Sequence, residues 1–433
     1  MPTDGPMAQF LAKPQRFIIR PAPGWSKLTI TEVCQILGHP LQSYKFKPAA
    51  TLEDGLVVVS ECDFRQAMEL AMRVTTAHDM DWILASSRVS GWSEWSSFIA
   101  KSHLLELWTK PQAVHVAVSV SHPVVGTEKE VKRLFSKALL QGGHEVLADF
   151  SGRGNQLLAQ RLRVECQKNR TRLLVSLGGE PLYKRGYKAL IGGATAPLPE
   201  HLAAACARWT LSHLGDAVRS QLQSGARTLV VPFAGTGTTG LEMVCQLADM
   251  APGVTRQSYG FESWSFSPQA TLRSIRKRLV AQIKPISVHL RWGDINAEVV
   301  AALHEHVEAF CAAVHGRDDD SHQRIIQSQM SQNDFLSDPQ ALCLGSETVF
   351  LPLNPPYGQR LAKESGSRQI YKRLGLALAR LAQNIDVAGY VICPDETSWV
   401  TLSETFEGSQ QKTCHFSHGG QDMRLLSFAA HGG

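Results

Sequence analysis

Arg227-Thr228-Leu229-Val230-Val231 runs into Pro232-Phe233-Ala234-Gly235-Thr236-Gly237-Thr238-Thr239-Gly240 and then into Leu241-Glu242-Met243-Val244. The first run predicts a short buried strand, the second a glycine loop, the third the start of a helix. Strand, glycine loop and helix open a doubly wound α/β fold, whose ligand lies at the carboxyl ends of its strands. Glycine lets the backbone come close to that ligand. The residues placed against it are Pro232, Ala234, Gly235, Thr236, Gly237 and Thr238. The loop lacks the lysine of a Walker A motif, which argues against a nucleoside triphosphatase. Gly-x-Gly alone would suit a dinucleotide as well as S-adenosylmethionine.

A second motif favours S-adenosylmethionine. The apolar run Thr348-Val349-Phe350-Leu351-Pro352-Leu353 ends in Asn354-Pro355-Pro356-Tyr357. The prolines fix φ and remove backbone donors, so the turn is stiff and the Pro355 carbonyl can only accept. With the Asn354 amide oxygen it makes two acceptors for one planar amine, aimed at a methyl donor. Tyr357 offers a ring for a base to stack on, worth roughly 1–3 kcal/mol. The candidate catalytic residues are therefore Asn354, Pro355, Pro356 and Tyr357. An ordinary Asn-Pro turn is the bland alternative.

A doubly wound cofactor domain also needs a carboxylate at the end of its second strand for ribose hydroxyls. Glu262 and Asp294 compete. Asp294, in Arg291-Trp292-Gly293-Asp294, follows an alternating run at 286–290 and precedes a helical pattern (Val299, Val300, Leu303, Val307, Phe310), so it is preferred. Asp334 stands where a third strand would end and could accept from the adenine amine.

Leu182-Tyr183-Lys184-Arg185-Gly186-Tyr187, Ala196-Pro197-Leu198-Pro199-Glu200, the glycine loop, Ala251-Pro252-Gly253, Gly293-Asp294 and Asn354-Pro355-Pro356-Tyr357-Gly358-Gln359-Arg360-Leu361 together resemble the THUMP-domain RNA methyltransferases. Within these the chain is most similar to the bacterial large-subunit ribosomal RNA guanine-N2 methyltransferases, closely after Val175 and loosely before it. The resemblance implies a Rossmann-like methyltransferase domain preceded by an α+β region, ferredoxin-like plus THUMP. It implies S-adenosylmethionine as cofactor and methylation of a guanosine N2 amine. The implied partner is RNA, ribosomal rather than transfer RNA, with ribosomal assembly intermediates by extension; a small activating subunit is unknown. It also implies an insertion over residues 252–285 that contains Trp264 and Glu262, which supports Asp294 as the ribose ligand. The family usually has Asp before the loop proline; Val231 stands there, which keeps open a non-catalytic RNA-binding scaffold. A transfer RNA guanine-N2 methyltransferase, or one acting on a DNA adenine or protein glutamine, are further alternatives. The expected divisions are 1–110 ferredoxin-like, 111–180 THUMP-like, 181–200 linker and 201–433 methyltransferase.

Composition agrees. The 433 residues are 43% hydrophobic and 19% charged, which describes a globular chain of two or three domains. No apolar run reaches the roughly 18–20 residues of a membrane span. A formal charge of +5 and pI ≈ 8.7 permit a polyanionic partner. Nine dispersed cysteines without a Cys-x-x-Cys pair argue against disulfides and zinc ribbons, so no metal is expected. Residues 1–15 lack a secretory or clear organellar signal, and a cytoplasmic location is expected, with an organelle (mitochondrial) as the alternative.

In the first half, strands are predicted at 16–20 and 55–59. Helices are predicted at 31–37, with Thr29 or Thr31 as N-cap, and at 63–73. A further strand at 113–120 precedes an amphipathic helix at 127–140, and closing strands follow at 162–166 and 172–177. Lys129, Lys132 and Arg133 on that helix are candidate RNA-phosphate contacts. Lys184, Arg185 and Lys188, interleaved with Tyr183 and Tyr187, read as a single-stranded RNA track. The helix after Pro199 is expected to bury Leu202, Cys206, Trp209 and His213. Residues 314–323, with Arg317-Asp318-Asp319-Asp320, read as a solvated insertion. Trp92-Ser93-Glu94-Trp95-Ser96, Cys414/His415/His418 and His304/His306 carry no expected function, and His418-Gly419-Gly420 reads as a hairpin turn.

Overall fold

The computed structural model describes residues 13–38, 49–121, 126–148, 159–167, 170–187, 198–315, 326–357, 364–408 and 410–431. They form two compact units: 1–21, 29–184 and 256–278 in the first, and 22–28, 185–255 and 279–433 in the second.

The first unit begins with strand β1 (Gln15–Pro21), helix α1 (Ser26–Gly38), β2 (Ala49–Glu53), β3 (Leu56–Cys62), α2 (Phe64–Arg73) and β4 (Ala77–Ser87). This βαββαβ order, with antiparallel neighbours β2-β3-β1-β4, is the ferredoxin-like arrangement. Helix α1 starts earlier than expected. Thr29 and Thr31 lie inside it, and the Thr29 hydroxyl bonds Thr76 at 2.9 Å instead of capping. Beside it buried Glu32 accepts from the amides and hydroxyls of Thr75 and Thr76. Asp63 caps α2 in a reciprocal box with Gln66, which satisfies two amides at the helix start.

After a short helix α3 (Trp95–Lys101) come β5 (Ala113–Val120), α4 (Glu128–Gln141), β6 (Glu145–Leu147), β7 (Gln160–Gln167) and β8 (Arg170–Ser176). Strand β4 pairs with β8, so one sheet, β2-β3-β1-β4-β8-β7-β5-β6, runs unbroken across the expected division at 110/111. Asp79 and Asp81 on β4 are fully buried. They are held by Arg161 and Arg163 from β7 and Arg20 from β1, and Glu165, which also pairs with Arg20, makes three acids to three cations.

The core of this unit is aromatic. Phe64 meets Trp82 edge to face at 4.6 Å and Phe266 at 5.0 Å, and Trp264 packs beside Trp82 at 5.5 Å. Trp264 and Phe266 come from the expected insertion, whose residues 256–278 thus complete the first unit's core.

The second unit holds α5 (Glu200–Leu214), α6 (Asp216–Ser224), β9 (Thr228–Val231), α7 (Thr238–Leu247), β10 (Val288–Asp294), α9 (Ala297–His315), β11 (Ile326–Gln332), α10 (Pro339–Cys343), β12 (Thr348–Leu353), α11 (Glu364–Leu381), β13 (Asp386–Cys393), α12 (Glu396–Thr405), β14 (Gln410–His418) and β15 (Gln421–Ala430). Helix α8 (Gln269–Ala281) crosses from the first unit into it. The sheet order is β11-β10-β9-β12-β13-β15-β14, parallel apart from β15. The chain lays strands outward from β9 on one side, then crosses to β12 on the other, so β9 marks the topological switch point. Gly419 and Gly420, both at positive φ, make the hairpin turn between β14 and β15.

In α5 the expected face is only half right. Leu202 and Cys206 are buried, but the buried side continues through Thr210 and Leu211, leaving Trp209 and His213 partly exposed. His213 bonds back to the Trp209 carbonyl at 2.7 Å. No helix among the described residues is long and apolar enough to cross a membrane. Residues 316–323 of the expected polar insertion lie outside the described residues.

Candidate functional site

Four neighbouring parallel strands end on the same side of the second unit's sheet, and each hands on one part of the site. Strand β9 ends in the glycine loop, β10 ends on Asp294, β11 ends two residues before Asp334, and β12 ends on Leu353, one residue before Asn354. Pairing of Val231 with Trp292 and of Phe350 with Leu229 fixes these ends relative to one another.

The loop is tied down by its neighbour. Ala234 N donates to the Gly293 carbonyl at 3.0 Å, and Gly235 N donates to Asp294 Oδ2 at 3.1 Å. Gly235 and Gly237 sit at φ +50° and +79°, where a side chain would be strained. A Cβ on Gly235 would meet nothing within 4 Å, so the loop faces open space there. On Gly237 it would stand 2.6 Å from Leu303 Cδ1, so that face is packed against α9. Thr236 and Thr238 join through their hydroxyls at 3.0 Å.

Asp294 also accepts from Asn296 N at 3.0 Å. Each of its carboxylate oxygens thus holds one amide and keeps further acceptor capacity. Asp334 accepts from Leu336 N at 3.1 Å and from the Ser337 hydroxyl at 2.5 Å, with Arg373 Nη2 at 3.5 Å. Partial burial pushes its carboxyl up, but these bonds and the Arg373 charge outweigh it, and it lies below its ordinary value. Glu262 is elsewhere. It belongs to the first unit, where it accepts from Tyr259 N and pairs with Arg276 at 2.7 Å.

The Asn354 amide oxygen is shut off from solvent and accepts no hydrogen bond among the described residues. Pro355 is buried, and Pro356 and Tyr357 are half-buried. Gly358 to Leu361 lie outside the described residues.

The expected RNA contacts fare differently. On α4, Lys129 and Arg133 are exposed and Lys132 half-buried, because Val131, Phe135 and Leu139 form the inward face. Lys184 is exposed and pairs with Glu180 at 3.1 Å. Arg185 is corrected: it is 2% exposed, with Nε 2.9 Å from buried Glu242. Tyr187 shares that carboxylate, donating at 2.6 Å, and its ring meets Phe310 edge to face. Both side chains are buried, so neither lies on a surface RNA track, and a desolvated guanidinium held by a buried carboxylate is committed to the interior. Lys188 lies outside the described residues.

Sequence reasoning missed three residues around the loop. His306, 2% exposed, holds the Thr236 carbonyl through Nδ1 at 3.2 Å. Glu242 anchors Arg185 and Tyr187 to the helix that follows the loop. Arg373 reaches from α11 to Asp334. A buried acid in an otherwise apolar helix was the available signal for Glu242; nothing local marks the other two.

Comparison with known proteins agrees with this layout. A family model described as RMKL-like, methyltransferase domain, matches residues 193–424, more than half of the chain. The ribosomal RNA large subunit methyltransferase K/L of Shewanella baltica (strain OS185) is 29% identical over 207 residues, 47% of this chain and 25% of that protein. Its counterpart in Allochromatium vinosum is 30% identical over 273 residues, 62% of this chain and 33% of that protein. The chain therefore spans a quarter to a third of the length of these relatives. Among solved structures, SMU.472 complexed with SAH superposes with a TM-score of 0.70 at 17% identity, covering 97% of this chain and 99% of that one, and so shares the fold. From glycine loop to Asn-Pro-Pro-Tyr turn, the chain belongs to the RMKL-like methyltransferase domain family.

Proposed function

We propose that the protein methylates the exocyclic N2 amine of a guanosine in RNA, with large-subunit ribosomal RNA as the substrate. The observation that carries the reading is the buried, unpartnered Asn354 oxygen in a proline-stiffened turn, one strand from the glycine loop. It is an acceptor waiting for a donor. The K/L methyltransferase relatives support ribosomal RNA as the target.

S-adenosylmethionine, held by the glycine loop, Asp294 and Asp334, would supply an electrophilic methyl group on its sulfonium. The open side of Gly235 and the spare lone pairs of Asp294 fit such a cofactor. Asn354 Oδ1 and the Pro355 carbonyl accept from the amine and turn its lone pair toward the methyl carbon. Most of the acceleration comes from that alignment. The bound cofactor would give up its methyl group to that nitrogen as the sulfur–methyl bond broke, and the methylated amine would lose its proton to water. Tyr357 stacks on the base, which must be unpaired for its amine to be reached. Lys129, Lys132, Arg133 and Lys184 are proposed as phosphate contacts of a THUMP-like RNA-binding region within the first unit.

Nucleoside mass spectrometry of ribosomal and transfer RNA from cells lacking the chain tests this. N2-methylguanosine should fall in ribosomal RNA and return with wild type but not with Asn354→Ala. A loss confined to transfer RNA would move the substrate. No loss in either pool would overturn the reading.

One observation favours a second reading, a non-catalytic RNA-binding scaffold. Val231, fully buried, stands where the family usually has an acid beside the loop. A methyl-transfer assay with labelled S-adenosylmethionine and RNA separates the two, since a scaffold would show no turnover.

A further inference from the structure

Helix α11 follows the Asn354 turn and carries an imbalance of charge that its own stability does not explain. Between Glu364 and Asp386 the chain has no acid, but it has Arg368, Lys372, Arg373 and Arg380. Arg368 and Lys372 are both exposed and have no ion-pair partner among the described residues. They stand four residues apart, and like charges at that spacing cost an isolated helix about 0.2–0.5 kcal/mol.

Three contacts fix where these turns lie. Tyr371 donates to the Ile392 carbonyl at 2.7 Å, at the carboxyl end of β13. Ser367 bonds Ser398 at 2.9 Å, in the first turn of α12. Arg373 lies 3.5 Å from Asp334, just past β11. All three partners are at the carboxyl edge of the sheet, the edge that carries Asn354. Tyr371 and Leu374 face inward, so Arg368 and Lys372 face solvent on that edge. Arg380 is also exposed but lies in the last turn, away from it.

We infer that Arg368 and Lys372 form a phosphate-docking strip for the nucleotides flanking the base held at Asn354. This rests on the RNA reading above and adds a substrate-binding surface to it. Two unpaired cations at that edge suit a polyanion that must thread past the turn, and they position without reading sequence. Arg373 is excluded from the strip because Asp334 and Ser337 already engage it.

The test is the salt dependence of binding a short fluorescein-labelled single-stranded RNA containing guanosine, followed by anisotropy on the full chain. The Arg368→Gln/Lys372→Gln variant should bind several-fold more weakly. Its slope of log affinity against log salt should be shallower by about 1.4, which is two phosphates at about 0.7 each. Its affinity for S-adenosylmethionine should not change. Arg380→Gln, which removes a cation from the far end of the same helix, should bind RNA like wild type. Wild-type slope in the double variant, or an equal loss in Arg380→Gln, would overturn the strip and leave the RNA reading standing. A wild-type chain that neither binds nor methylates RNA would overturn both.

Discussion

A buried amide oxygen without a partner costs a folded protein about 1–3 kcal/mol, and Asn354 carries that cost with no structural return. Asn354→Ala should therefore leave stability unchanged or slightly raised. It should also lower turnover by at least about 10²-fold, the scale of one lost transition-state donor or acceptor. Calorimetry with S-adenosylmethionine should show near-normal binding; a variant that turns over like wild type would remove Asn354 from the mechanism. Asp294→Ala should do the reverse, weakening cofactor binding, because it also frees the Gly235 amide. Asp334 lies below its ordinary pKa, so its stabilising contribution is present above the usual carboxylate range and is lost as pH falls through the depressed value. Cofactor affinity should then stay flat down to about pH 5, and a fall in affinity between about pH 7 and 5 would contradict this. Glu242 is the structural counterpart. Glu242→Ala would break a buried ion pair, at about 3–5 kcal/mol, measurable by urea unfolding.

At the scale of elements, helix starts are set by short polar boxes. Asp63 with Gln66 and Thr127 with Glu130 each satisfy two amides reciprocally. Asp63→Ala should cost about 1 kcal/mol, read as an earlier unfolding transition; an unchanged midpoint would show that tertiary packing alone holds α2. These starts were legible because the box is local in sequence. Helix α1 was misjudged because Thr29 looks like a cap and is instead a tertiary partner of Thr76. The same error in kind affected Arg185: a cation between tyrosines reads as a nucleic-acid track until Glu242, 57 positions away, claims it. The hairpin at Gly419-Gly420 was legible because positive φ at both positions is a demand that glycine itself announces.

Across the molecule, the chain returns at residues 256–278 to finish the core of the first unit, and Arg256 secures that return. Its guanidinium donates to the carbonyls of Gly178, Glu180, Pro181 and Lys184 and lies over the Tyr259 ring at 4.8 Å. Lysine has no planar fork with which to reach several carbonyls. Arg256→Lys should therefore cost more than about 2 kcal/mol in the first unit, and a loss within about 0.5 kcal/mol would refute the staple. Thiol reactivity offers a second test. Burial raises the thiols of Cys62, Cys206, Cys245 and Cys393, and pushes Cys343 to about 12. Only thiolates react, so the native protein should label fastest at exposed Cys34, and the buried thiols should appear on unfolding. Rapid labelling of a native Cys34→Ser variant would contradict the packing.

What the sequence by itself determined is whatever is encoded within a few neighbouring residues: the glycine loop, the Asn-Pro-Pro-Tyr turn, the acid ending β10, the helices beginning near Asp63 and Thr127 and the hairpin. Each is a local conformational demand, so residue types a few positions apart suffice to state it. The tertiary structure decided which side chains are free to act. It spent Arg185 on Glu242, sent Glu262 to the first unit, set His306 against the Thr236 carbonyl and left the Asn354 oxygen empty. Whether a charge or an acceptor is available depends on partners brought near by folding from distant parts of the chain, and burial then makes those pairings binding.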